Sequence, residues 1–372
     1  MTKPLTVRDI AEKAGVSLGT VSRVMNNAAN IDPALKEHTL TVIRENNYIP
    51  LRRPRRNTRR SAAEGGRIAV LFCDMPHQWN ESYFSRSYAA GIEAVCTAYR
   101  VETEFFTLQD LCGDTFFRRL AKFDGVLIKH NFGPGDPRAE RINALAEKIP
   151  VAGFGTNFPH CRYSQTFLDN HSAGALAARE LIGRGHRVIA FINPNPESEM
   201  LRSRGEGFRE MMEQSGLWRP ELFISRKLAT VAAPDPDPVP PLLGGTLERL
   251  LAFPEKVTAA IVANDWGCVG LYRACAERGI SIPQELSILG FDNQISICAS
   301  LNPPLSSINN PLADIGKTAA IELFSRIDAR KRELALPVSR RILSGTLIER
   351  GSLSRFTRNS NNNNAITGEQ TR

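Results

Sequence analysis

The chain has 372 residues, 42% hydrophobic and 23% charged, enough for two or three compact units, and no apolar run approaches the length of a membrane span. Its formal net charge of +8 is lopsided: residues 1–66 hold twelve Lys/Arg against six Asp/Glu, leaving only +2 for the rest. Charge confined to one end marks a polyanion-binding segment on a near-neutral body, although a stretch that merely aids solubility would look the same.

The opening MTKPLTVRDI has no apolar core and no cleavage site, so it is no secretory signal and a cytoplasmic protein is expected. Next, TVRDIAEKAGVSLGTVSRVMNN (residues 6–27) reads as two short helices joined by a tight turn. Thr6 is placed to cap the first, with Asp9 three residues on, and Val7, Ile10, Ala11 and Ala14 share one face. Gly15 ends that helix with a positive φ, and Ser17 caps the second. In the second helix Val21, Val24 and Met25 turn inward, leaving Leu18, Gly19, Ser22, Arg23 and Asn26 outward. A third helix starts at Asp32-Pro33 and buries Leu35, Leu40 and Ile43. A helix-turn-helix of this kind puts its second helix into the DNA major groove; a three-helix module that binds protein would share the pattern. LRRPRRNTRR (51–60) follows, with six arginines, either a solvated linker or a grip on a polyanion.

From Arg67 the pattern changes to apolar runs alternating with helical stretches: RIAVLFCD, a helix carrying Tyr88, Ile92 and Val95, then VETEFF, DGVLIKH, IPVAGF, HRVIAFIN, TAAIVAND and LSILGFDN. This alternation predicts parallel sheets with helices on both faces, and its length calls for two lobes. Ligands of open α/β sheets bind outside the carboxyl ends of the strands. Here those ends carry Asp74, His130, Asn193, Asn264-Asp265 and Asp292-Asn293. Such polar caps can simply terminate a sheet; together they suit a cleft for a hydroxylated ligand.

The seven cysteines include no C-x-x-C and read as reduced core residues, and the six histidines lack ligand spacing, so neither metal nor cofactor is expected. No nucleophile elbow, phosphate loop or zinc-protease motif occurs, and the chain is not read as an enzyme. APDPDPVPP (233–241) reads as an extended surface loop, and residues 351–372 as a disordered polar tail.

Residues 6–27, together with Asn46-Asn47-Tyr48-Ile49-Pro50, closely resemble the headpiece of the lactose/galactose repressor (LacI/GalR) family. The resemblance extends to about residue 350 through FLDNHSAGALAARELIGRGHRVIAFI, RSRGEGF, AAIVAND, SILGFDN and LNPPLSSINNP. It implies a helix-turn-helix headpiece (1–50), a hinge (51–66) and a two-lobed α/β periplasmic-binding-protein-like effector and dimerisation domain (67–350).

The implied function is a homodimeric transcriptional repressor on a pseudo-palindromic operator, with a small effector, often a sugar, between the lobes. A sugar-binding protein of the same fold without operator recognition is the alternative. Leu18, Gly19 and Arg23 would read bases; Ser17, Thr20, Ser22 and Asn26 would sit on phosphates. Gly19 offers no side chain, so readout leans on Arg23 at guanine and Leu18 at a thymine methyl. Arg204, Asn264, Asp292, Asp169 and Asn310 match polar positions of the family's effector-binding segments, the alternatives being that Asp169 and Asp265 cap helices and that Arg204 forms a lobe-stabilising ion pair, and Asp74 joins them from its strand end. Removing Arg204 or Asp292 is expected to abolish the effector response in a protein that stays folded. The family's hinge helix inserts a leucine into the minor groove; here Leu51, Pro54 and Asn57 occupy the positions of its Asn, Ala and Leu. Arg52, Arg53, Arg55 and Arg56 are therefore expected to lie extended along the backbone or in a narrow A·T-rich minor groove.

Overall fold

A computed structural model describes residues 7–25, 31–45, 65–73, 82–107, 113–226 and 244–356. The chain divides into two compact units, Met1–Arg60 and Ser61–Arg372.

In the first unit, α1 (Val7–Lys13), α2 (Leu18–Met25) and α3 (Pro33–Glu45) enclose a small core of Ile10, Ala11 and Val21, with Val16 and Ile43 packed on it. Gly15 makes the turn at φ +62°, and Ser17 Oγ accepts the Thr20 N–H at 3.1 Å, capping α2 as its sequence requires. The buried face of α3 is only partly the expected one, with Ile43 packed on the core as expected. Leu35 is 38% exposed, Leu40 and Ile43 are half-buried, and Thr39 and Val42 are buried instead. Asp32 caps the Leu35 N–H at 2.9 Å in the first turn of α3. Thr39 can go inside because its hydroxyl donates to the Leu35 carbonyl of its own helix at 2.7 Å.

The second unit holds two six-stranded sheets. Lobe one is parallel throughout: β1 (Arg67–Phe72), β2 (Glu102–Thr107), β3 (Gly125–Lys129), β4 (Val151–Gly155), β5 (Ser164–Leu168) and β11 (Arg340–Leu343), in the order β11-β5-β4-β3-β1-β2. Lobe two is β6 (Ile189–Asn193), β7 (Phe223–Ser225), β8 (Ala259–Val262), β9 (Ser287–Asp292), β10 (Ser306–Asn309) and β12 (Thr346–Ile348). Its order is β12-β10-β9-β8-β6-β7, with only β12 antiparallel.

Strands β5 and β10 escape the sequence pattern because their buried side chains are polar. Ser164 bonds Ser339 and Gln165 makes two bonds to the Phe158 backbone, so each is satisfied inside. The expected tail also begins too early. Ser352 is fully buried and exchanges hydrogen bonds with Ile288, while the Phe356 N–H donates to Arg184. Residues 351–356 thus complete lobe two, their serine hydroxyls meeting backbone groups that a polar reading consigned to solvent. The segment 233–241 and residues 357–372 lie outside the described residues.

The chain crosses between the lobes three times, at 168–170, 309–312 and 343–346, and the Asp169 N–H donates to the Leu343 carbonyl, tying the first crossing to the third. The first crossing delivers α7 (Asn170–Gly183) to lobe two, against α8 (Glu199–Gln214); the second delivers α12 (Leu312–Lys331) to lobe one, against α4 (Tyr83–Tyr99). Both helix pairs touch backbone to backbone. A Cβ on Gly174 would lie 1.9 Å from the Arg204 carbonyl oxygen, and one on Gly91 would lie 1.9 Å from that of Ala313. One apolar core runs from Ile68 and Phe72 through these helices to Phe191 and Phe208.

Candidate functional site

Arg204 stands on α8 with its guanidinium 1% exposed. Its Nε donates to Asn170 Oδ1 at 2.9 Å, Nη1 to the Ala263 carbonyl at 2.7 Å and Nη2 to Asp292 Oδ1 at 2.7 Å. The same group lies 4.8 Å from the centroid of the Phe291 ring. One side chain therefore joins the start of α7 to the carboxyl ends of β8 and β9, where the strand-end rule places a ligand.

Asp292 meets it from a turn in the left-handed region: φ is +96° at Asp292 and +51° at Asn293. Neither residue is glycine, so the turn is strained and needs outside support. Ser307 Oγ accepts the Asn293 N–H at 3.0 Å, Asn293 Nδ2 donates to Asn309 at 3.1 Å, and Arg350 donates to Asn293 Oδ1 at 2.6 Å. From lobe one, the Tyr83 hydroxyl donates to the Asn293 carbonyl at 3.2 Å. Burial, with Asp265 and Asp292 nearby, raises the Tyr83 phenol above its ordinary value, so it remains a donor.

Asp169 is the N-cap of α7, accepting the Ser172 N–H at 2.9 Å and its hydroxyl at 2.7 Å. Asn264 caps α10 (Asp265–Glu277), accepting the Gly267 N–H at 2.8 Å. Asn310 sits in the second crossing, 8% exposed, and its Oδ1 has no hydrogen-bond partner among the described residues. Asp74 lies outside the described residues. The structure thus unites Arg204 with Asp292, and gives Asp169 and Asn264 a capping bond each.

Sequence reasoning missed Asn170, which stands inside the FLDNHS run, and Tyr83, whose partner is 210 residues away and leaves no local signal. In lobe one, His130 lies between the rings of Phe132 and Phe158, centroids 5.0 and 4.9 Å away. Its Nδ1 accepts the Phe132 N–H at 3.1 Å, which puts the neutral ring's proton on Nε2, 2.6 Å from the Tyr163 hydroxyl. Lys129, buried, runs along Gly155 beside Tyr88.

In the first unit, Leu18 is 49% exposed, Ser17, Gly19 and Arg23 are exposed, and Thr20 is half-buried, so α2 turns the expected face outward. Ser22 lies on α2, while Asn26, Arg52, Arg53, Arg55 and Arg56 are outside the described residues.

Residues 6–51 match the bacterial regulatory proteins of the lacI family, and residues 178–353 match the periplasmic binding protein-like domain. The chain is 27% identical over 332 residues to the ribose operon repressor of Haemophilus influenzae, covering 87% of this chain and 92% of that one. Among solved structures, a transcriptional regulator CelR–cellobiose complex aligns with a TM-score of 0.60 at 23% identity, over 94% of this chain and 99% of that one. The lac repressor dimer bound to operator and an anti-inducer aligns with a TM-score of 0.58 at 21% identity, over 94% and 99%. The chain thus joins a headpiece that matches the bacterial regulatory proteins of the lacI family to a two-sheet body that matches the periplasmic binding protein-like domain.

Proposed function

We propose that the protein is a cytoplasmic transcriptional repressor that binds a pseudo-palindromic operator as a homodimer and adjusts its DNA affinity to a small hydroxylated ligand of the sugar class. The observation that carries this reading is the outward face of Leu18, Gly19 and Arg23 on a chain whose body gathers Arg204 and Asp292 at the strand ends. Several of its relatives are named as repressors, and a similar fold holds cellobiose. A sugar-binding protein without operator recognition is not favoured, because the headpiece match spans residues 6–51. The reading is of a binding protein rather than an enzyme.

Within it, Arg23 and Leu18 read base edges, while Ser17, Thr20, Ser22 and Asn26 hold phosphates. Asp74, Asp169, Arg204, Asn264, Asp292 and Asn310 face the effector. Binding of the purified protein to its own upstream DNA and to random DNA, across a range of salt, is the direct test; equal affinity for both would end the operator reading. In the same assay Arg23→Ala is expected to weaken specific binding by about 1–3 kcal/mol and to leave non-specific binding intact. A uniform loss on every sequence would reduce Arg23 to a phosphate ligand. Changing Arg52, Arg53, Arg55 and Arg56 to glutamine is expected to flatten the slope of log K against log salt by about 0.9 for each phosphate that is no longer neutralised. An unchanged slope would leave them as linker.

A further inference from the structure

Asp265, the first residue of α10, is 1% exposed and forms no ion pair among the described residues. Its Oδ1 accepts the Ser307 hydroxyl at 2.7 Å; its Oδ2 accepts the Gln294 N–H at 2.7 Å and the Cys298 thiol at 3.4 Å. Ser307 Oγ in turn accepts the Asn293 N–H. A single carboxylate therefore holds two consecutive amides, Gln294 directly and Asn293 through one hydroxyl. These amides close the left-handed turn that carries Asp292. The carboxylate also lies hard against the β9 backbone: a Cβ on Gly290 would fall 2.3 Å from Asp265 Oδ1.

We propose that Asp265 is a positioning residue of the effector site: by holding the Asn293 and Gln294 amides it aims Asp292 at Arg204 and offers the Asn293 carbonyl to Tyr83 of the opposite lobe. Ligand binding at Asp292 and closure of the lobes then converge on one turn. The functional consequence rests on the reading of Arg204 and Asp292 as the effector site; the strut itself is testable without any ligand.

The strut is sensitive to protonation. Three donors point at this carboxyl, an arrangement that suits the ionised, acceptor-only form. Burial first, then the charge of Asp292, oppose ionisation and push its pKa up to about 7, against the pull of Ser307, the Gln294 N–H and Cys298. The other titratable or charged groups around it are Cys268 on its own helix, Cys298, Tyr83 from α4, Arg204 on the far side of Asp292, and Arg350 beyond Asn293. Below neutrality the carboxyl must itself donate, one of its donors loses its acceptor, and the turn loosens. Global stability moves the other way. The raised folded pKa means that the group's contribution is full below its unfolded value and is lost as pH rises through about 7.

Amide hydrogen exchange on the full-length protein without ligand, corrected for intrinsic exchange between pH 6 and 8, tests this. Protection of Asn293 and Gln294 is expected to rise through about pH 7 in the unmodified protein. Asp265→Asn is expected to lower it about ten- to a hundredfold, the equivalent of one charge-assisted bond, and to abolish the pH response, with the amides of β6 unchanged. Ser307→Ala is expected to expose the Asn293 amide alone, which keeps the test decisive should Asp265→Asn fold poorly. Wild-type protection in Asp265→Asn, an unaltered pH response, or equal loss at both amides in Ser307→Ala would overturn the proposal. None of these outcomes bears on operator binding, so the strut and the regulatory reading fail separately.

Discussion

Arg204→Ala is expected to destabilise the effector domain by about 3–5 kcal/mol, the usual cost of stripping one partner from a buried ion pair. The sequence alone suggested a milder outcome, a protein that stays folded and merely ignores its effector. The structure replaces that expectation, because the guanidinium is fully buried and bonded to Asn170, Ala263 and Asp292 on three different elements. Its loss leaves the Asp292 carboxylate inside without a cation and three acceptors without their donor. Urea unfolding followed by circular dichroism measures the effect. A double replacement, Arg204→Met with Asp292→Leu, is expected to recover part of the loss, since two apolar side chains leave no orphan charge. A single-variant loss under about 1 kcal/mol would show that water reaches the site and that the pair behaves like one on the surface.

Gly174→Ala and Gly91→Ala are expected to cost about 3 kcal/mol each, at the upper end of overpacking penalties. In both places the added methyl meets a carbonyl oxygen of the facing helix at 1.9 Å, and backbone cannot step aside as a side-chain tip does. Gly183→Ala serves as the control: it ends α7, and an added methyl there meets nothing within 4 Å. That change is expected to be neutral or to stabilise by about 0.4–1 kcal/mol. Equal midpoints in urea for Gly174→Ala and Gly183→Ala would mean that the helix pair is more loosely packed than the structure has it.

What could be read from the sequence was whatever is encoded locally. The cap at Ser17 and the turn at Gly15 lie within a few residues of the atoms they serve. Runs such as AVLF and AAIV announce strands because both their faces are covered by apolar neighbours. Strand β5 stayed hidden because Ser164 and Gln165 satisfy their polar groups with partners that tertiary structure brings. The face of α3 was partly misjudged for a related reason: a threonine that bonds its own helix is as buriable as an apolar residue, and no periodicity shows it. At the site, family likeness located Arg204 and Asp292, whereas the bond between them spans 88 residues. The role of Asp265 was out of reach altogether, since its donors Ser307, Gln294 and Cys298 come from distant sequence.

The crossings also dictate an order of assembly on the ribosome. Lobe one has five of its strands by Leu168, but α12 and β11, which cover and edge its sheet, are synthesised only after β10 of lobe two. Lobe two, by contrast, has α7 and all its strands but β12 in one unbroken stretch. The later-synthesised lobe can therefore condense first, while Leu127 of β3 and Ala152 and Phe154 of β4 wait for α12, which packs against those strands. During that interval the nascent protein carries apolar strands without their helix, the kind of surface that chaperones hold and that aggregates nucleate from.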